Sequence, residues 1–197
     1  MTRRLPWAAA ALAAAFCLPA EAQDARRGAA LVEERGCVAC HGPNGVSAVP
    51  LMPSLAGQQA DYITLQMILF REGLRQVPAM AEPARGLTDR NIEDIAAYFA
   101  ALPSAPKPDR GAPDAALIAR GAELSAQRNC QACHLPDYSG RANVPRINHQ
   151  REDFLLHSMA EYRDNLRVGA DTQMNGLMHG ISNADLRAIA HYLAHRP

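Results

Sequence analysis

Lysine and tryptophan are nearly absent from this 197-residue chain, in which Lys107 and Trp7 are the only examples. Outside the first 22 positions the chain has 18 basic and 19 acidic side chains, so its charge is balanced. Nucleic-acid binding is not expected, because it requires a concentrated basic face. A docking surface built on a ring of lysines is excluded as well, since one lysine cannot form it.

A hydrophobic run of about 20 residues, the length of a transmembrane helix, is also missing. The longest apolar stretch, residues 7–18, is shorter and follows a cationic start at residues 1–4. With the small residues just before Gln23, this is the pattern of a cleaved secretory signal peptide. Residues 1–22 are therefore predicted to be a signal peptide, and the mature protein is expected to be soluble and periplasmic. An uncleaved membrane anchor is the alternative.

Cysteine is scarce outside one repeated pattern. Cys17 lies in the predicted signal peptide behind the bulky Phe16, whereas the cysteine of a lipoprotein follows a small residue. The other four cysteines belong to two motifs, Cys37-Val38-Ala39-Cys40-His41 and Cys130-Gln131-Ala132-Cys133-His134. The spacing C-x-x-C-H is the attachment signature of c-type haem, in which two thiols bond to one porphyrin and the histidine ligates its iron. Two covalently bound haem c groups are therefore predicted, with Cys37, Cys40, Cys130 and Cys133 as attachment residues and His41 and His134 as iron ligands.

Paired cysteines also have other interpretations. A single C-x-x-C can be a redox dithiol, and two pairs together can bind one zinc ion through four thiolates. Both interpretations leave His41 and His134 without a role, although each directly follows a cysteine. The duplicated histidine therefore favours haem.

The two halves of the chain repeat each other. Residues 27–31 match residues 120–124 at an offset of 93, and the same offset relates the two haem motifs. Residues 87–100 align with residues 181–194 without a gap. The stretch between the halves is rich in proline, as is typical of an interdomain connection. The predicted division is a first domain at residues 23–102, a linker at 103–116 and a second domain at 117–197.

Each half is predicted to be entirely α-helical. The closing helices are expected to begin at Thr88 and Ser182, which are good N-cap residues. Gly28 and Gly121 lower helix propensity, and we expect them to allow close packing beneath tyrosines of the closing helices, Tyr98 and Tyr192. The other predicted helices are entry helices at residues 26–35 and 120–128 and middle helices at residues 58–72 and 152–165.

The repeat also indicates the second axial ligand of each iron. Met80 stands seven residues before Leu87, and Met174 stands seven residues before the matching Ile181. Met80 and Met174 are therefore the predicted ligands, with Met178 as a rival in the second half. A thioether ligand favours ferrous iron and an electron carrier rather than an oxygen binder. Histidine is an alternative to Met174, and the candidates are His149, His157, His179, His191 and His195.

Other residues are candidates for supporting the haems. A ligating histidine normally donates its second ring N–H to an acceptor, and the carbonyls of Pro53 and Pro145 are candidates for that role. Paired arginines follow the middle helices of both halves. They are predicted either to bind haem propionates or to be solvated helix ends. These arginines are Arg71, Arg75, Arg163 and Arg167.

The chain resembles the dihaem cytochrome c4 family of tandem class I cytochromes c. The resemblance rests on the two C-x-x-C-H motifs, the Pro-x-Leu-x-x-Gln stretch at residues 53–58, the arginine-rich turn before each methionine and the terminal Ala-x-Tyr helix. It covers essentially the whole mature chain, although Asn148-His149 replaces Ala56-Gly57 in the second half. The resemblance implies two all-helical domains related by a pseudo-twofold axis, and haems that exchange electrons.

Electron transfer without substrate chemistry is the function that this family resemblance implies. The partners would be a redox donor and an acceptor such as a membrane-bound terminal oxidase. The first alternative is the dihaem subunit of a flavocytochrome c sulfide dehydrogenase or a similar dehydrogenase. The second alternative is a dihaem enzyme, for example a peroxidase or thiosulfate dehydrogenase, which would need an open iron position.

Overall fold

A computed structural model describes residues 23–104, 112–167 and 172–196, and ten α-helices lie in these ranges. The described residues contain no β-strand, and an isolated bridge joins Arg141 to Val144. The prediction of an all-α fold is therefore confirmed. No helix within the described ranges is both long and apolar enough to cross a membrane. The predicted signal peptide and residues 105–111 of the predicted linker lie outside the described residues.

The helices form two sets of five that follow the same order. In the first half they are α1 (Ala25–Glu34), α2 (Val38–His41), α3 (Ala60–Arg71), α4 (Pro78–Ala84) and α5 (Asp89–Ala101). In the second half they are α6 (Ala115–Gln127), α7 (Gln131–His134), α8 (Glu152–Arg163), α9 (Thr172–Met178) and α10 (Asn183–His195).

Each half has its own hydrophobic core. In the first half α5 packs against α1 and α3, and in the second half α10 packs against α6 and α8 in the same way. The closing helix of each half is thus the centre of its core. The largest buried side chains of the two cores include Val32, Ile92 and Phe99 in the first half and Leu186, Ile189 and Tyr138 in the second.

Gly28 and Gly121 lie where the entry and closing helices cross. A β-carbon on Gly28 would be 2.9 Å from the β-carbon of Tyr98, and one on Gly121 would be 2.5 Å from that of Tyr192. Real carbon atoms do not approach this closely, so both crossings require glycine. The predicted role of the two glycines in close packing is confirmed.

Most predicted helix ends agree with the structure to within two residues, with one clear exception. The closing helices begin as expected, because the hydroxyls of Thr88 and Ser182 accept from backbone N–H groups in the first turn. By contrast, α6 begins at Ala115 rather than at Arg120. The Asp114 side chain caps it by accepting from two backbone N–H groups of its first turn. The predicted start of α6 is therefore wrong, because the Asp114 cap begins the helix five residues earlier.

Candidate haem sites

Each C-x-x-C-H motif forms one helical turn, α2 or α7, with the first cysteine immediately before it. The two cysteines of a motif are three residues apart, so their thiols lie on the same side of the turn. The histidine that ends the turn is buried, with His41 6% and His134 7% exposed. The second cysteines, Cys40 and Cys133, are exposed, whereas Cys37 is half-buried and burial raises the pKa of its thiol. Each motif therefore presents two neighbouring thiols and turns one imidazole inward.

The buried imidazoles have the hydrogen bonds expected of iron ligands. Nδ1 of His41 lies 2.9 Å from the carbonyl oxygen of Pro53, and Nδ1 of His134 lies 2.9 Å from that of Pro145. A carbonyl oxygen can only accept, so both Nδ1 atoms carry a proton and donate it. Burial lowers the pKa of His41, which keeps the ring neutral and makes Nε2 its metal-binding nitrogen. The structure confirms both predicted proline acceptors.

The alternative of one four-thiolate zinc site is not supported. All four described cysteines are free of disulfide bonds. In the part of the chain that the structure describes, one group of three metal-ligand side chains comes together, and it contains no cysteine. The thiols therefore remain in two separate pairs, as haem attachment requires.

The predicted ligands of both halves line one cavity of about 370 Å³. His41 and Met80 border it from the first half, and His134 and Met174 border it from the second. Aliphatic and aromatic side chains form most of its wall, and Cys130 and Cys133 belong to the wall as well. The donors fit haem c, because each half combines paired thiols with a buried imidazole and a thioether. Cys37 and Cys40 do not line the cavity, unlike their equivalents in the second half.

The methionines lie on two short helices, α4 and α9, that the sequence analysis did not predict. Met80 and Met174 are both half-buried, line the cavity and contact the core of their own half. Met178 also borders the cavity, but it is only 2% exposed and occupies the position of Ala84, a buried core residue. Because Ala84 has no ligating atom, the correspondence supports Met174 as the ligand. Both methionine assignments remain predictions.

Four of the five alternative histidine ligands do not line the cavity, and the fifth borders it with an exposed side chain. His157 borders the cavity but is half-exposed, 3.4 Å from Glu161. His191 accepts at Nε2 from the backbone N–H of Asp114 and donates from Nδ1 to Glu152, both at 3.0 Å. This pairing gives His191 a structural role in holding the start of α6. The other three, His149, His179 and His195, do not line the cavity.

The four arginines divide into two pairs with different roles. Arg71 donates to the carbonyl of Leu87 at 3.0 Å, and Arg163 donates to the carbonyl of Ile181 at 3.3 Å. Both therefore lie at helix ends, as the second interpretation predicted, but they bind loop carbonyls and are only 20% and 21% exposed rather than solvated. Arg75 and Arg167 instead line the cavity.

The guanidinium groups of Arg75 and Arg167 form a positively charged patch in the cavity wall. Both donate to Oε1 of Gln66, at 2.6 and 3.2 Å, and Arg167 also donates to the Tyr62 hydroxyl. Burial, together with the charge of Arg167, lowers the pKa of Arg75 to about 10. Nε of Arg167 is buried without a hydrogen-bond partner. Glu161 acts electrostatically on both arginines, but two like charges and an orphaned donor still favour a further anion, and the propionates of haem are suitable anions. No sequence motif had indicated Gln66.

Comparison with known proteins agrees with this site. Residues 118–197 match the family model for cytochrome c, and residues 23–99 match that for cytochrome c oxidase, cbb3-type, subunit III. A chain with two such units, each with its own C-x-x-C-H turn, is a dihaem c-type cytochrome.

Full-length relatives define the family. The chain is 36% identical over 173 residues to cytochrome c4 of Thiocapsa roseopersicina, which covers 80% of this chain and 85% of that protein. The structure of reduced recombinant cytochrome c4 from Pseudomonas stutzeri superposes with a TM-score of 0.77 and 31% identity, over 88% of this chain and 99% of that one. The chain belongs to the cytochrome c4 family, and it accordingly carries two covalently bound haem c groups.

A relative with a different name is also similar. The thiosulfate dehydrogenase electron acceptor of Stutzerimonas stutzeri is 29% identical over 98% of this chain and 95% of its own length. Both kinds of relative fit a dihaem electron carrier that works with redox proteins.

Proposed function

We propose that this dihaem electron carrier works in the periplasm, where it accepts electrons from a dehydrogenase and passes them to a membrane-bound terminal oxidase. The observation that carries the proposal is one cavity lined by residues of both halves, which is bordered by both predicted histidine and methionine pairs. Haem supplies the reversible one-electron couple of iron when it is bound. Electrons that enter through one half therefore have a route to the other.

The protein residues would close the iron sites. In each half the histidine and the methionine would hold the haem iron, which would leave no open position for a small molecule to react. The thioether of Met80 favours the ferrous state. The hydrogen bond from His41 to Pro53 makes the imidazole a stronger donor and favours the ferric state. The balance of these two residues sets the potential of the first site, and Met174 and His134 have the same roles in the second.

A second candidate donor is a thiosulfate dehydrogenase. It is favoured by the similarity of the whole chain to a protein named as the electron acceptor of that enzyme. In this proposal the protein is reduced by the dehydrogenase and has no catalytic site for thiosulfate. The expected result is fast reduction by thiosulfate only when the dehydrogenase is added. Slow reduction of the protein with the dehydrogenase present would exclude this enzyme as its electron donor.

The main test is expression of the full chain in a host that matures c-type cytochromes. We expect the periplasmic fraction to contain a protein with two haems per chain. Its reduced form should not bind carbon monoxide, because a histidine and a methionine would hold each iron. A colourless or zinc-containing protein would contradict the haem assignment, and ready carbon monoxide binding would contradict a closed carrier. Size-exclusion chromatography of the native protein tests the remaining alternative, since a dehydrogenase subunit should co-purify with a flavoprotein.

A further inference from the structure

Two buried glutamines cross between the halves and make matching pairs of hydrogen bonds. Oε1 of Gln150 accepts from the backbone N–H of Ser54 at 2.9 Å, and its Nε2 donates to the carbonyl of Ser54 at 2.8 Å. Oε1 of Gln58 accepts from the N–H of Arg146 at 2.8 Å, and its Nε2 donates to the carbonyl of Arg146 at 3.0 Å. Ser54 and Arg146 are equivalent positions of the repeat, so the two contacts are related by the pseudo-twofold symmetry.

The orientation of each glutamine amide follows from its partners. Oε1 of Gln58 also accepts from the backbone N–H of Gln59, and Oε1 of Gln150 also accepts from that of Arg151. A flipped amide would point its NH2 group at two N–H donors and lose all three bonds. With exposed fractions of 5% for Gln58 and 7% for Gln150, water cannot easily replace these bonds.

Each glutamine is connected to the haem-ligating histidine of the opposite half through one peptide group. The peptide between Pro53 and Ser54 accepts from His41 at its carbonyl and donates to Gln150 from its N–H. The peptide between Pro145 and Arg146 accepts from His134 and donates to Gln58 in the same way. Hydrogen bonds in such a chain polarise one another, so an acceptor at the N–H strengthens the bond at the carbonyl.

We propose that Gln58 and Gln150 are positioning residues that tune the haem of the opposite half. Gln150 strengthens the hydrogen bond from His41 to Pro53, and Gln58 strengthens the bond from His134 to Pro145. A stronger bond at Nδ1 increases the electron donation of the imidazole and favours ferric iron. The two glutamines therefore lower the two potentials in a crossed pattern and link the haem sites across the interface. This inference rests on the proposed function only in requiring two haems with histidine ligands.

Leucine variants of the full-length holoprotein test the crossed pattern. We expect Gln150→Leu to raise the midpoint potential of the haem bound by His41 and to leave the other haem unchanged. Gln58→Leu should raise only the potential of the haem bound by His134. The measurement is a redox titration in which NMR follows the ring protons of the two ligating histidines separately. The Nδ1 proton of the affected histidine should also move upfield in the reduced protein, because its hydrogen bond is weaker.

Gln59→Leu is the matched control. Gln59 also crosses the interface, where Nε2 donates to the carbonyls of Ser139 at 2.9 Å and Gly140 at 3.3 Å. Neither carbonyl accepts from a haem-ligating histidine, so this variant should leave both potentials unchanged. The proposal is overturned if Gln59→Leu produces the same shift, if Gln150→Leu moves both haems equally, or if it moves neither. Such results would mean that the glutamines only hold the halves together.

A shorter amide provides a second variant in case the leucine protein does not fold. Gln150→Asn remains polar but cannot reach both backbone groups of Ser54, so it should shift the His41 haem in the same direction by a smaller amount. Absence of any shift in a folded Gln150→Asn protein also overturns the proposal. Failure of the proposed function would be detected separately. It would change the haem content or the carbon monoxide binding of the wild-type protein, neither of which depends on the glutamine variants.

Discussion

Gly28 of α1 lies directly against the backbone carbonyl of Asp94 on α5, and this contact leaves no space for a side chain. We expect Gly28→Ala to destabilise the holoprotein by about 3 kcal/mol, because a backbone carbonyl cannot move aside as a flexible side chain can. Denaturant unfolding followed by circular dichroism measures the change. Gly121→Ala should behave in the same way in the second half.

Gly176 provides the control for this experiment. It lies in α9, and a β-carbon there would have no contact within 4 Å. Gly176→Ala should therefore be neutral, or stabilising by up to about 1 kcal/mol through better helix propensity. Equal effects of the alanine substitutions at Gly28 and Gly176 would contradict the packing explanation.

Acid stability of the first half should depend on Asp94. This carboxylate is 1% exposed and accepts from Arg27 Nε and from the backbone N–H of Asp24, both at 2.7 Å. The hydrogen bond from Arg27 lowers the pKa of Asp94 in the folded protein. Because this pKa is lower in the folded protein, the ionised carboxylate stabilises the fold at every pH above its unfolded-state pKa, which is near 3.8. This stabilisation is lost as the pH falls through the folded-state pKa.

The test compares Asp94→Asn with Asp89→Asn. At pH 7, Asp94→Asn should lower the free energy of unfolding by about 2 kcal/mol, and the difference from wild type should shrink below a pH of about 4. Asp89 pairs with Arg71 but has a side chain that is 75% exposed, so its substitution should cost less than about 1 kcal/mol. Thermal unfolding from acid to neutral pH measures both. An unchanged acid profile in Asp94→Asn would contradict the assignment.

Alanine substitutions separate the two methionines of α9. Met174→Ala should remove the ferric methionine-to-iron charge-transfer band of the second haem, because the thioether ligand is lost. Met178→Ala should keep that band and instead destabilise the protein by about 3 kcal/mol, as expected for a cavity in a core. Absorption spectra of the ferric variants measure the band. Loss of the band in Met178→Ala alone would show that Met178 is the ligand.

Removal of a buried positive charge should change the haem potentials. Arg167 is 4% exposed in the cavity wall, and its charge disfavours the additional positive charge of ferric iron. We therefore expect Arg167→Met to lower a midpoint potential in a redox titration. Arg163→Met is the control, because Arg163 binds the loop at Ile181 and does not line the cavity. Similar shifts in the two variants would show that Arg167 has no special relation to the haems.

Features that depend on residues close in the chain were predictable. Each C-x-x-C-H turn places its thiols and imidazole by its own helical geometry. The caps at Thr88 and Ser182 follow local rules in the same way. The repeat made the glycines at the helix crossings predictable. Both halves have a glycine, which lowers helix propensity, at the same position of the entry helix. The start of α6 also depends on a local cap, but Asp114 directly follows the proline-rich stretch, which by itself indicates a linker rather than a helix.

The amino-acid sequence by itself determined the class of cofactor, its number and the all-helical fold, because these depend on short motifs and on a repeat within one chain. Only the tertiary structure decided which arginines reach the cavity and which glutamines meet the opposite half. The physical reason is distance along the chain. Gln150 and Ser54 are 96 residues apart, and their contact exists only because two complete cores hold the surfaces of the halves in register.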